Sequence, residues 1–302
     1  MKRNKLMMLG IAALALIFLL AACGGKKAAE STPASQGGGA SASGSQSSRN
    51  QPAFVDASDN DFNVGLTADN TVIITKYIGS GGNISVPAKI QGIQVTELAT
   101  GVFSSNNDIT GVRLPEGLKI IGQAAFQFSA NISTVIIPNT VTTIGNYAFA
   151  YCGSLKSITI PDSVTSFGES IFAGVLNGRS GFSGLEEFTV PAGMIASGRI
   201  PEYMLQGSNL KQIVIPEGIT TIERSAFASC ETLTSVTLPS TIKKIGNNAF
   251  NFCRELTEVI IPESVTSIEW EPDMTGSHPF FGCRKLNLAS QARLRQLGHT
   301  GF

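Results

Sequence analysis

The sequence predicts a strand-rich solenoid: one array of stacked coils with short turns and helical turns, closed by a C-terminal helix. Three observations carry that expectation. Prolines that end a short apolar run recur at Pro87, Pro115, Pro138, Pro161, Pro191, Pro216, Pro239 and Pro262, with gaps of 28, 23, 23, 30, 25, 23 and 23 residues. A period in the twenties marks a unit that stacks on copies of itself. Phenylalanine recurs in the same place of successive units, at Phe103, Phe126, Phe149, Phe172, Phe227, Phe250 and Phe280, with Met204 standing in for it in the weakest copy. Ahead of each proline the apolar residues alternate, as in Ile158-Thr159-Ile160, the period-two pattern of a half-buried strand.

Composition narrows the function classes. The 302 residues carry 22 Lys+Arg against 22 Asp+Glu, so no basic excess exists for neutralising phosphates, and a nucleic-acid partner is not expected. Apolar residues make up 42%, too many for a globally disordered chain. His278 and His299 are the only histidines, which leaves no multi-histidine metal site. No G-x-S-x-G elbow, H-E-x-x-H helix, phosphate-binding Walker loop or G-x-G-x-x-G is present. No catalytic residue, metal or cofactor is therefore expected.

Residues 1–22 read as a secretion signal. Lys2, Arg3 and Lys5 precede seventeen uncharged residues, Leu6 to Ala22, slightly short for a membrane span. The run ends Leu20-Ala21-Ala22-Cys23-Gly24, which resembles the bacterial lipobox, where cleavage precedes a lipid-bearing cysteine. Cys23 is thus the expected anchor. Without residues 1–22 the chain has 19 basic against 22 acidic residues, a net charge of −3. Residues 23–52, rich in Gly, Ser and Ala, have almost nothing to bury and read as anchor plus flexible linker.

Residues 53–286 form the expected solenoid. In the cleanest copy, 141–161, Leu155, Ile158 and Ile160 face inward, Pro161 ends the strand, and Ile144-Gly145 begins a second extended piece. Ala148-Phe149 then reads as a tight turn whose ring plugs the interior. Burying each ring is worth about 1.5–3 kcal/mol, and truncation to Ala costs roughly 3–5 kcal/mol. Gly79-Ser-Gly-Gly82 reads as a hairpin turn. Cys152, Cys230, Cys253 and Cys283 all lie three residues after a spine aromatic, where other copies place Asn106, Ser129, Gly184 and Gly207. A small core residue suffices there, although Cys230 and Cys253, one coil apart, are a tempting disulfide pair. Residues 287–302 read as a capping helix, with Leu288, Ala292, Leu294 and Leu297 inward and Arg293 and Arg295 outward.

The pattern of 141–161, repeated at 219–239 and 242–262, resembles bacterial BspA-like leucine-rich repeat proteins: V-T-x-I-G-x-x-A-F-x-x-C-x-x-L, then apolar-x-apolar-Pro. The resemblance spans roughly residues 63–286, with Ile74 to Gly82 as the first, capping copy. It implies a curved solenoid used for recognition, in a family that includes cell-surface adhesins engaging host or matrix proteins.

Candidate binding residues follow from the strands. Outward positions read Arg113, Ile136, Thr159, Thr189, Val214, Thr237 and Ile260, a broad and nearly uncharged row. Three segments break the 23-residue rule, at 173–184, 192–203 and 269–279, and insertions in a solenoid map to loops on one edge. The last holds Trp270, an enriched interface residue type and a candidate rim contact, beside Glu269, Glu271 and Asp273, which read as an exposed acidic loop. The expected function is a lipid-anchored, extracytoplasmic binding protein of adhesin or receptor type at the cell surface, with protein partners. The alternative is a structural scaffold of the envelope with partners on its own cell.

Overall fold

The structure, a computed structural model, describes residues 53–175, 178–265, 267–268 and 278–299. The leader, Cys23, the linker and Trp270 lie outside the described residues. Within them the chain is a stack of coils, and each regular coil contributes two strands and a turn.

Strands of mostly three to five residues form a broad row. Val55–Asp56, Gly82–Ser85, Ile109–Arg113 and Thr134–Ile136 pair in parallel, as do Gln212–Val214, Ser235–Thr237 and Glu258–Ile260. Strands mostly of two residues form a narrow row. Ile93–Leu98, Ile120–Ile121, Thr143–Ile144 and Ser166–Phe167 make one parallel set. Arg199–Ile200, Thr221–Ile222, Lys244–Ile245 and Ser267–Ile268 make the next. The prolines act at the corner between rows. Having no N–H, each leaves the ladder, and its carbonyl accepts from the residue three on, as in Val141 N to Pro138 O (3.2 Å) and Val164 N to Pro161 O (3.1 Å).

The third side is a row of turns bonded coil to coil. Phe126 N donates to Ala148 O (2.8 Å), Phe149 N to Ile171 O (2.9 Å) and Phe227 N to Ala249 O (2.8 Å). In most coils the residues two before and two after the spine aromatic take left-handed backbone, among them Tyr147 (φ 58) and Tyr151 (φ 62) around Phe149. A non-glycine residue there costs roughly 1–2 kcal/mol. The intercoil bonds hold the turn in that conformation in copy after copy.

The spine is a stack of buried rings. Phe103, Phe126, Phe149 and Phe172 lie 4.9, 5.1 and 5.7 Å apart between neighbouring centroids, within 12° of parallel. Phe227, Phe250 and Phe280 repeat this at 5.1 Å. Between the runs the expected substitute is displaced by one residue. Phe172 N bonds Met204 O, and Leu205 N bonds Ala226 O, so Leu205 holds the spine position and Met204 the place of the small residue before it. The same shift puts Ser208, not Gly207, in the cysteine position.

Both ends depart from the expected pattern. Val72–Tyr77 pairs antiparallel with Phe62–Leu66 and so covers the first coil with a hairpin. Gly79 to Gly82 is not a hairpin turn. It carries the chain from Val72–Tyr77 in one sheet to Gly82–Ser85 in the other, and Gly81, at φ 89, packs so close that a Cβ would lie 2.5 Å from Asp108 O. The 28-residue gap is filled by a second hairpin, Lys89–Ile90 with Ile93–Leu98, turned by Gln91 and Gly92, both at positive φ.

The C-terminal helix, Leu288–Gln296, is N-capped by Asn287, whose side chain accepts from Ser290 N at 2.9 Å. Leu294 is buried and Leu297 packs on the core, but Leu288 is 80% exposed and Ala292 is also exposed. Arg295 is exposed as expected, whereas Arg293 is half-buried and reaches Pro262 O. Ser290 adds a polar contact to that packing. Its hydroxyl accepts from Val259 N (3.1 Å) and donates to Val259 O (3.0 Å), occupying the edge of the last broad strand.

Candidate partner-binding face

Outward residues of the broad row are set by pairing register. Arg113 lies opposite Ile136 in the first sheet, and Val214, Thr237 and Ile260 lie opposite one another in the second. Val214 is 67% and Ile260 71% exposed, with the inward Ile213, Val236 and Val259 buried. The flanking outward row of the second sheet is Gln212, Ser235 and Glu258. The result is a short, flat, β-branched face with one carboxylate at its edge. Lys285 and Glu255 pair beside it at 2.6 Å.

The seven outward positions do not make one continuous sheet. Residues 156–159 and 186–189, which include Thr159 and Thr189, are exposed or half-buried chain without strand pairing, between the buried Leu155 and Ile160 and the buried Leu185 and Val190. The inward Ile158 and Phe188 are only partly buried. Phe188 explains part of this: its ring meets Phe172 at 5.6 Å and 60°, wedged where a β-branched residue sits in the regular coils. Insertion 173–184, between these two segments, also lengthens the coil. At the first sheet, Arg113 is not a free charge. Its guanidinium sits 4.7 Å over the Phe54 ring, a cation–π contact. A shallow hollow of about 310 Å³ lies there between Arg113, Glu116, Ile136 and Asn139.

The buried cysteines offer no chemistry to this face. All four are free thiols. Cys152, Cys253 and Cys283 donate to the carbonyl of the spine phenylalanine one coil back at 3.1–3.2 Å, Cys230 does so to Leu205 O at 3.1 Å, and Ser129 makes the same bond to Phe103 O at 2.6 Å. Burial pushes the Cys152 thiol up to about 12, and burial with the neighbouring thiols holds Cys253 well above the ordinary range, so neither is a thiolate at neutral pH. Sequence spacing gave no hint that His278 and His299 meet. Their Nδ1 atoms lie 3.1 Å apart, joining the last turn to the chain beyond the cap helix. Among the described residues no group of three or more His, Cys, Asp or Glu is placed to hold a metal ion.

The repeats match the family profile of the BspA type leucine rich repeat region, in six copies over residues 83–194 and 198–290. The chain belongs to the BspA-type leucine-rich repeat family. No curated protein matches it. It is similar to a leucine-rich repeat protein of T. pallidum, at 27% identity over 82% of this chain and 98% of that one, with a TM-score of 0.54. A leucine-rich repeat protein from Bacteroides ovatus shares the fold at 20% identity and TM-score 0.51, covering 75% and 68% of the two chains. A leucine-rich cell surface protein from Faecalibacterium prausnitzii matches at 19% identity over 84% of this chain and all of that one, with a TM-score of 0.42. BspA-type repeats are protein-binding modules and typically not enzymes. Among the described residues no helix is long and apolar enough to cross a membrane.

Proposed function

We propose that this BspA-type protein is a lipid-anchored, extracytoplasmic binding protein of adhesin or receptor type. Cys23 holds it to the membrane, the linker sets the solenoid away from the surface, and the broad-row face recognises a protein partner, with Trp270 at its rim. The observation that carries the reading is the exposed row Val214, Thr237 and Ile260, uncharged and β-branched on a parallel sheet. Such a surface offers little to a small anion and suits the apolar centre of a protein contact.

Val214→Lys with Ile260→Lys places two charges in that centre without touching the buried rings. Capture of host or matrix proteins by wild type, lost in this variant at unchanged melting temperature, supports the face; unchanged capture removes it. Partners recovered only from the protein's own envelope would make it a scaffold component. Cys23→Ser tests the anchor: the variant leaves the detergent phase in a Triton X-114 partition, and unchanged partitioning refutes lipidation.

A further inference from the structure

Among the described residues the narrow row is interrupted once, and the interruption opens a cleft. In regular coils the glycine after the narrow strand donates to the coil before it: Gly145 N to Ile121 O (2.8 Å), Gly168 N to Ile144 O (2.8 Å) and Gly246 N to Ile222 O (2.7 Å). The residue in that place after Arg199–Ile200 is Pro201, which has no N–H to give Phe167 O. A second bond is lost one step earlier. Thr142 O accepts from Thr165 and Ser166, and Gly198 O from Thr220 and Thr221, but Gly198 N closes the short helix Ala192–Ser197 and Arg199 N turns to Ser197 Oγ. Among the described residues, Thr165 O and Phe167 O therefore receive no backbone bond from the next coil. The turn side stays bonded across the junction, through Ser170 N to Glu202 O (3.0 Å) and Phe172 N to Met204 O (3.0 Å). The coils remain stacked on one side and gape on the other.

The gap has a volume of about 390 Å³ and is lined by Thr165, Ser166, Phe167, Glu169, Ser197, Arg199, Pro201, Glu202 and Glu223. That is within the usual size of a small binding site. Its one cation, Arg199, is held by Glu223 at 2.6 Å. Glu169 and Glu202 make no side-chain ion pair among the described residues, and with Thr165 O and Phe167 O they present a concentration of acceptors. Phe167 stands where the neighbouring copies have isoleucine, and its half-buried ring forms an apolar wall against Gly193 of the short helix.

We propose that this cleft takes the basic side chain, lysine or arginine, of an extended segment of a protein partner. The inference deepens the protein-binding reading above by naming a chemistry for the partner, and it rests on that reading. Charge complementarity selects the cation: the carboxylates of Glu169 and Glu202 receive its head and the Phe167 ring lies along its methylenes. The two carbonyls select the extended chain, since the edge of Ser166–Phe167 lacks the N–H donors that a paired strand supplies. Arg199 stays with Glu223 and closes one end.

The test is fluorescence anisotropy of the full chain with a fluorescein-labelled pentapeptide bearing one central lysine, its arginine analogue and its glutamine analogue. Saturable binding of the lysine or arginine peptide is expected, at least about tenfold tighter than the glutamine peptide. Glu169→Gln with Glu202→Gln should weaken it about tenfold or more without moving the melting temperature, because both side chains are outside the core. Ser166→Lys, at an exposed position of the same strand, should weaken it by supplying a tethered ammonium. Equal binding of the glutamine peptide, unchanged binding by both variants, or binding of maltohexaose in place of the basic peptides would overturn the proposal. The titration needs no identified partner. Its failure leaves the broad-row face standing, and failure of Val214→Lys with Ile260→Lys to affect capture leaves the cleft standing.

Discussion

Cys253 shows how one core position is specified twice, by volume and by hydrogen bonding. Its thiol fills the space beside the spine and donates to Phe227 O at 3.2 Å, while Cys230 N shares the same carbonyl at 3.3 Å. Ser129 makes the equivalent bond with a hydroxyl. Cys253→Ser is therefore expected to keep the bond and change stability by less than about 1 kcal/mol, whereas Cys253→Val loses it and costs about 0.5–1.5 kcal/mol; urea unfolding midpoints separate the two. Spacing alone exposed the cysteine row, because the residue three after each aromatic is small. What spacing could not show is the acceptor, which lies one coil back. Nor could it place Leu205 and Ser208, because the long coil shifts the frame by one residue and Met204 is as apolar as its neighbour.

At the scale of elements, the ends of the array are capped by different means. A hairpin closes the first coil, and Ser290 closes the last by bonding both backbone groups of Val259. Removing that hydroxyl leaves a buried N–H and C=O unpaired, so Ser290→Ala is expected to cost about 1–3 kcal/mol. Amide hydrogen exchange should localise the loss to Val259 and its neighbours, whereas a uniform change along the array would contradict the capping role. The strands and prolines of the regular copies were legible because each strand repeats the same alternation. The cap helix was legible as a helix and in the inward side of Leu294 and Leu297, but not in all of its packing. Leu288 looks like an inward residue and is exposed, because the helix docks through Ser290 on a strand edge as well as through Leu294, and apolar periodicity carries no trace of that polar bond. The outward row was legible position by position, yet Thr159 and Thr189 fall where partly buried Ile158 and Phe188 leave the sheet unformed.

At the scale of the whole molecule, stability should depend on pH through the C-terminal end. His299 is 2% exposed, and burial, with the neighbouring His278, lowers its pKa to about 4 from 6.5. As the pH falls through 6.5 the unfolded chain takes up this proton while the folded chain refuses it until about pH 4. Stability is thus full above about pH 6.5 and declines between those values, by about 2 kcal/mol between pH 7 and pH 5. Chemical denaturation at the two pH values measures the loss, and His299→Gln should flatten it. A slope unchanged by that substitution would place its origin elsewhere. The broken ladder at Pro201 has a different consequence, for cooperativity. A solenoid unfolds as one unit only while each nearest-neighbour interface is strong compared with the intrinsic instability of a coil. The junction between residues 166–167 and 199–200 has lost two kinds of backbone bond and, at Leu205, the aromatic stack. Among the described residues it is the one break in the narrow row, and a domain wall between folded and unfolded segments is expected to cost least there. Equilibrium unfolding is expected to resolve into two transitions, the coils before the short helix and those after it. Pro201→Gly, which returns an N–H opposite Phe167 O, should draw the two transitions together.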